Sequence, residues 1–243
     1  LKSILKRFVA VFLPFRCHAC SEVTDFGVVL CDSCLAKLQG LIGAPQLVED
    51  VVCSFPVYTL SSYDSLMSDI IRIVKYRPSL KLLVLLTEQC QKRGRLKALV
   101  TADDIMVPVP MHSDRLLRRG FNQAELLAEK FAVAAGCKFS PALERIRATR
   151  PQADCDENDR QNNLEGAFAV GHGLILEMFA GRHLILVDDV VTTGSTLQKC
   201  CEALQPLRPA KVSALLYHIL SDAPHRSPGE NPLNQWIPGL RPE

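Results

Sequence analysis

The residues of this chain best suited to chemistry stand together between Leu184 and Leu197, in the stretch LILVDDVVTTGSTL. Asp188 and Asp189 follow a run of four apolar residues, Leu184 to Val187. Its length and β-branched character predict a strand buried on both faces, with the acids at its end. Thr192, Thr193, Gly194, Ser195 and Thr196 come next, and apolar residues at helical spacing begin with Leu197, Cys201 and Leu204. The pattern predicts a strand, a polar turn and a helix start. A helix N-terminus carries unpaired backbone N–H groups and a positive partial charge, so small hydroxyl residues around a glycine suit a phosphate. Two acids would repel that phosphate and need another partner. The vicinal hydroxyls of a ribose, with Mg2+ near one or both carboxylates, match their acceptor-only chemistry. A 5-phosphorylated ribose satisfies both halves.

A Walker-type nucleotide loop would require a Gly-Lys-Ser/Thr step that is absent here. A purely structural turn would not require acid, acid, Thr, Thr and Gly in that order. A second concentration of polar groups lies upstream. Asp104 to Pro110 contains a short apolar strand, and the turn after it offers His112, Arg115, Arg118, Arg119 and Gly120. Asn122 with Glu125 has the spacing of a capping box, and Leu126, Leu127 and Phe131 continue a helix. Arginines at a strand end and near a helix N-terminus form a candidate pyrophosphate-binding loop; a solvated basic face is the alternative.

Near the start, Cys17-x-x-Cys20 and Cys31-x-x-Cys34 are two identical pairs separated by ten residues. Two such turns supply four soft ligands for a tetrahedral Zn2+. His18, inside the first pair, is a bystander or a competing ligand. Redox CxxC sites are the alternative, but a thioredoxin-like motif occurs once and beside a strand-helix unit. Closed four-Cys sites leave no position for catalysis, so such a zinc would fold a segment too small for its own core. Cys53, Cys90, Cys137, Cys155, Cys200 and Cys201 show no ligand spacing and read as small buried hydrophobes.

These groups need a scaffold, and 243 residues suffice for one large α/β unit with a small appendage. The 48% hydrophobic and 22% charged content is that of a globular protein, and a net charge of +2 neither requires nor excludes nucleic acid. Cysteine usage without a secretory core predicts a reducing, cytoplasmic setting. The opening residues are broken by Lys2, Lys6 and Arg7, and Val9 to Leu13 is too short a run for a membrane span. Leu1, Leu5, Phe8 and Phe12 predict a short amphipathic helix, with membrane-surface contact as the alternative. Leu41 to Asp50 reads as a linker and Val51 to Leu60 as an edge strand because of Pro56. Helices follow at Leu66 to Val74 and through Leu82, Leu83 and Leu86. Arg145 to Leu164 reads as a long mobile loop, and the stretch from Ser221 as a disordered tail. Strands at Met106, Ala167, Ile185 and Val212 predict a parallel sheet with the site at the strand carboxyl ends. The expected division is 1–45 for the N-terminal helix and zinc module, 46–220 for the sheet unit and 221–243 for the tail.

The acidic pair and its Thr/Gly turn resemble the phosphoribosyltransferase signature. Together with the four-Cys segment, Lys75-Tyr76-Arg77, VPVP, Arg115-x-x-x-Arg119-Gly120-Phe121-Asn122-Gln123, Pro151-Gln152 and Arg160-x-x-Asn163-Leu164, they resemble the ComF/GntX family from Pro14 to Tyr217. This resemblance implies a type I phosphoribosyltransferase-like α/β fold, a parallel sheet flanked by helices, with an N-terminal four-Cys zinc module. It implies phosphoribosyl pyrophosphate with Mg2+ as ligand and Zn2+ as structural metal on Cys17, Cys20, Cys31 and Cys34. Asp188 and Asp189 would hold the ribose, and Val191, Thr192, Thr193, Gly194, Ser195 and Thr196 the 5-phosphate. Arg115, Arg119, Asn122 and Gln123 would take the pyrophosphate side. Implied partners are single-stranded DNA, handled during natural transformation, and competence or recombination proteins. Arg115, Arg118, Arg119, Arg145, Arg147 and Arg150 would track a DNA backbone, with Phe121 or Tyr76 stacking on a base. The alternative is a transferase acting on an unidentified nucleophile, with no general base or base-binding hood evident. Arg147, Gln152, Arg160 and Asn163 match the family pattern, whereas Ala153 to Glu157 depart from it.

Overall fold

The computed structural model describes residues 15–49, 51, 53–62, 64–76, 79–93, 95–147, 164–191 and 193–219. The expected N-terminal helix and tail, and most of the expected long loop, lie outside them. So do Arg77, Arg150, Gln152, Cys155, Arg160, Asn163 and Thr192, and the side chains of Lys75 and Tyr76.

Strand β1 (Phe15–Arg16) pairs antiparallel with β2 (Val23–Thr24), and helix α1 (Asp32–Leu41) follows. Strands β3 (Ile42–Leu47) and β4 (Val57–Ser61) precede helices α2 (Ser65–Tyr76) and α3 (Leu80–Arg93). Next come β5 (Ile105–Pro108), α4 (Ser113–Arg119), α5 (Gln123–Ala135) and β6 (Lys138–Phe139). The hairpin β7 (Leu143–Arg145) and β8 (Phe168–Val170) leads to β9 (His183–Val191), α6 (Ser195–Leu204) and β10 (Lys211–Ile219). Six strands form the central sheet in the order β3-β4-β10-β9-β5-β6, parallel except for β3 against β4. Parallel strands need helical crossovers, and these cover both faces of the sheet.

Alternation along the central strands divides the core. Met106, Ile185, Val187, Leu215 and Tyr217 face a layer with Met67, Ile70, Leu83, Leu127 and Phe131. Ile105, Val107, Leu184, Leu186, Ala214 and Leu216 face the other layer, with Leu197, Cys200 and Leu204 of α6. Two buried faces explain why these strands read as unbroken apolar runs.

Four expectations are corrected. The supposed linker contains β3, which tolerates Pro45 because an edge strand has N–H groups that need no ladder partner. Val51 to Leu60 is not an edge strand: β4 is interior, and Pro56 stands just before it, its carbonyl accepting the Ala214 N–H at 2.9 Å. The strand near Ala167 belongs to the separate β7–β8 hairpin rather than to the central sheet. Strand β9 does not stop before the acids but runs to Val191, because β10 is long enough to pair His218 with Val190 and Ile219 with Val191.

At the amino ends of the parallel strands, single polar residues lock the ladder. His183 Nδ1 lies 3.2 Å from Asp104 Oδ2, and its Nε2 lies 2.8 Å from Ser213 Oγ. Asp104 also accepts from the Thr101 amide at 2.9 Å and hydroxyl at 3.0 Å. The flanks of β5, β9 and β10 are thereby joined through one imidazole. Burial holds the His183 pKa below its ordinary value, with Asp104 opposing and Lys211 reinforcing the shift. Among the described residues, no helix is long and apolar enough to cross a membrane.

Candidate functional site

At the opposite end of β9 the acid pair is half-buried. Asp188 Oδ1 accepts the Asp189 N–H at 2.7 Å, and Asp189 Oδ1 accepts the Val190 N–H at 2.8 Å. These bonds fix each carboxylate against its own backbone without joining strands. The Val191 side chain is buried in the core, so its backbone is what a ligand can meet. After it, Gly194 takes φ +88°, a left-handed conformation that glycine adopts at little cost, and so turns the chain into α6. Gly194 at the N-cap offers no side-chain cap, and the Ser195 N–H donates instead to Thr193 Oγ1 at 3.5 Å. Thr193 Oγ1 and Ser195 Oγ lie 2.9 Å apart beside it, with Thr196 half-buried next in line. Helix-start amides, the Ser195 N–H only weakly engaged by Thr193 Oγ1 at 3.5 Å, two hydroxyls and a tight glycine bend have the chemistry of an anion cradle.

Beyond β5, the expected arginine loop is a short helix instead. His112 Nδ1 accepts the Asp114 N–H at 3.3 Å to start α4, and Gly120 at φ +79° ends it. Both ends are thus capped, and no α4 side chain is buried. Asn122 caps α5 by accepting the Ala124 N–H at 3.2 Å, and its Nδ2 donates to Val109 O at 3.1 Å. That second bond ties α5 to the carboxyl end of β5. Arg119 donates to Gln123 Oε1 at 3.4 Å. Gln123 is 1% exposed, and its Nε2 is a buried donor without an acceptor among the described residues.

One residue was assigned only a backbone-tracking role by sequence and has a more specific setting here. Arg145 ends β7 opposite Phe168, with its guanidinium 5.3 Å from the ring centroid. Burial lowers the Arg145 pKa and so does the neighbouring Arg115, while Cys200 and Asp188 oppose the shift. Arg145, Arg115 and Asp188 therefore share one electrostatic neighbourhood, although they come from β7, α4 and β9. Only the Arg-x-Arg spacing before the long loop could have hinted at this. Leu117 and Ile146, 84% and 61% exposed, accompany Arg118 and Arg147 on the surface nearby.

The family described as phosphoribosyl transferase domain matches residues 116–228. Competence protein F of Haemophilus influenzae is 32% identical over 52% of this chain and 53% of its own. The DNA utilization protein YhgH of Salmonella typhimurium is 31% identical over 77% of this chain and 83% of its own. The chain belongs to the ComF-like phosphoribosyltransferase family. YhgH of Escherichia coli K12 has the same relation to this ComF-like chain, at 32% identity over 77% of it and 83% of the relative.

The other chemical centre of the ComF-like chain is its cysteine corner. The sulfurs of Cys17, Cys20, Cys31 and Cys34 all lie within 4.8 Å of one another, with Cys20 and Cys31 at 3.6 Å. A tetrahedral thiolate site with Zn–S near 2.3 Å has sulfur–sulfur edges of about 3.8 Å, so the four side chains fit such a metal. Burial opposes ionisation of Cys17, yet the backbone amides of Cys20, Cys31 and Ala19 bring its pKa down to about 6. Burial and the surrounding sulfurs raise that of Cys34. Cys17, Leu30, Cys34 and Leu38 belong to the core layer that includes Ile185 and Val187. Of the other cysteines, Cys90, Cys200 and Cys201 are buried as expected, whereas Cys53 and Cys137 are only partly so.

Proposed function

We propose that the chain binds phosphoribosyl pyrophosphate with Mg2+ at the carboxyl ends of β5 and β9 and handles single-stranded DNA during natural transformation in the cytoplasm. The observation that carries this reading is the placement of Asp188 and Asp189 at the carboxyl end of β9, close in sequence to the Gly194 turn into α6, with Asp188 and Arg115 both acting on the charge of Arg145. Paired acids suit ribose hydroxyls and Mg2+, the α6 start suits the 5-phosphate, and the guanidinium pair suits the pyrophosphate. Arg119, Asn122 and Gln123 would complete the pyrophosphate side, with the buried Gln123 Nε2 supplying a donor. Exposed Arg118 and Arg147, interleaved with Leu117 and Ile146, suit phosphates and base faces of a strand crossing the mouth. The names of the relatives, a DNA utilization protein and a competence protein, support the DNA part. Zn2+ on the four cysteines would be structural. In this reading residues 1–45 carry the metal module and 46–220 the ligand-binding unit.

Calorimetric titration with phosphoribosyl pyrophosphate and Mg2+, repeated with single-stranded DNA bound, tests both parts. The expected result is binding that is lost in Asp188→Asn/Asp189→Asn and altered by DNA; by reciprocity, the ligand then alters DNA affinity equally. DNA affinity should fall steeply with salt and with Arg118→Ala. Absence of ligand binding in both conditions would discard the reading.

A transferase is the second reading, favoured by the match to the phosphoribosyl transferase domain. A nucleophile would form a bond to the anomeric carbon as pyrophosphate leaves with its electron pair. Arg115 and Arg145 would stabilise the departing charge. Pyrophosphate release dependent on an added acceptor, and abolished in Asp189→Asn, is the expected result under that reading.

A further inference from the structure

The loop between β3 and β4 reaches the first turn of α6, where the cradle is formed. Ser54 donates both its backbone N–H and its hydroxyl to Gln198 Oε1, at 3.0 and 3.1 Å. Cys53 Sγ donates to Gly194 O at 3.5 Å, and the Gln198 N–H donates to the same carbonyl at 2.9 Å. Val51, Cys53 and Phe55 pack on the core layer beneath α6, which anchors the strap at its own end. Burial pushes the Cys53 thiol up to about 11, so it remains protonated and able to donate at neutral pH.

The consequence lies in one peptide plane. The Gly194 carbonyl and the Ser195 N–H belong to the same planar unit and point in opposite directions, so holding the oxygen aims the amide. Gly194 has more alternative conformations than any other residue type would have there. Two donors on its carbonyl, one from the helix and one from the strap, select a single orientation, in which the Ser195 N–H makes only a long bond to Thr193 Oγ1, 3.5 Å, that a phosphate oxygen would displace.

We infer that Cys53, Ser54 and Gln198 are positioning residues that hold the Ser195 amide and the Thr193–Ser195 hydroxyl pair ready for the terminal phosphate of a sugar phosphate. This rests on the proposed phosphoribosyl reading and adds to it the residues that set affinity for one end of the ligand. The bonds of Cys53 and Ser54 run to Gly194 and Gln198, on the phosphate-turn side, so the two ends of the ligand should respond differently.

The test is calorimetry on the full chain with Mg2+ and three probes: phosphoribosyl pyrophosphate, ribose 5-phosphate and inorganic pyrophosphate. Gln198→Leu is expected to weaken ribose 5-phosphate about tenfold and Ser54→Ala about threefold, from the usual worth of one or two hydrogen bonds. Cys53→Ala, which removes only the weak thiol donor, should cost about twofold and guards against misfolding of the helix variant. Pyrophosphate affinity should stay within about twofold throughout. Unchanged ribose 5-phosphate affinity in all three variants overturns the inference, and so does equal weakening of all three probes, which marks general loosening. Wild-type protein that binds neither sugar phosphate overturns the phosphoribosyl reading as well; wild-type binding with indifferent variants overturns the inference alone.

Discussion

The two ends of β9 use polar residues in opposite ways. At the amino end, His183 is bonded to Asp104 on one side and Ser213 on the other, and each bond joins β9 to the flank of a neighbouring strand. At the carboxyl end, Asp188 and Asp189 accept from the very next amide, bonds that orient a carboxylate but join nothing across the sheet. Ser213 is fully buried and Asp104 nearly so, whereas both acids are half-buried. A serine, a histidine and an aspartate in hydrogen-bonded line invite comparison with a hydrolase triad, but an inaccessible hydroxyl cannot meet a substrate. Chemistry-bearing residue types therefore mark a site only where the fold leaves their outward atoms reachable. The same strand carries a lock at one end and a reachable acidic edge at the other.

The sharpest way to test the independence of the ends is to disturb the layer beneath both. Structural zinc in small modules contributes on the order of 10 kcal/mol. Because Cys17 and Cys34 share a core with Ile185 and Val187, chelation or Cys34→Ser is expected to lower the melting temperature by more than about 10 °C and to reduce ligand affinity as well. Calorimetric scans with and without chelator decide this; unaltered melting would detach the cysteine corner from the sheet.

Asp104→Ala should be the next largest. Leaving His183 and Thr101 without their acceptor costs about 2–3 kcal/mol, or roughly 5–10 °C at this size. Ligand affinity should remain within about twofold, and a parallel loss would break the division between the ends. Asp189→Asn is the converse. Affinity for phosphoribosyl pyrophosphate should fall about 10–50-fold from loss of charge-assisted bonds, while the melting temperature moves by no more than about 1 °C.

The smallest effect is the acid response of the lock. His183 has a folded-state pKa below its ordinary 6.5, so the native state binds fewer protons than the unfolded chain in that region. Its contribution is therefore fully present above pH 6.5 and declines as pH falls, until the lower native pKa is passed. The slope contributed by one such group cannot exceed about 1.4 kcal/mol per pH unit. His183→Gln should flatten the melting temperature between pH 7 and 5, with Asp104 and Lys211, the charged groups that face the ring, left in place.

Much of this scaffold was legible because two-sided burial writes itself as continuous apolar runs in β5, β9 and β10. Helices α2, α3, α5 and α6 showed their apolar spacing, and the cysteines their ligand spacing. Other features depended on partners distant in sequence. Residues Asp188 to Val191 are strand because β10 extends beside them, which no local pattern reports. Gly43 and Pro45 read as breakers, yet an outer strand accepts both. Arg115, Arg118 and Arg119 looked like loop residues because the caps His112 and Gly120 are not the usual sequence signals in combination. Arg145 could not be placed without knowing that Phe168 lies beside it and that the charge of Asp188 reaches it. Asp104 just before β5, His183 at the start of β9 and Ser213 early in β10 are single residues with no spacing to connect them.

The sheet order carries a consequence for how the protein is made. Strand β10 lies between β4 and β9, yet among the described strands it is the last to be synthesised. Until the ribosome has released it, β4 and β9 each keep an open inner edge, and the half with the cysteine corner has no ladder to the half with the acid pair. Unpaired parallel edges are slow to close and prone to wrong pairing. A nascent chain stalled before Lys211 would thus hold this sheet as two partial sheets needing protection, and the six strands close around the one made last among them.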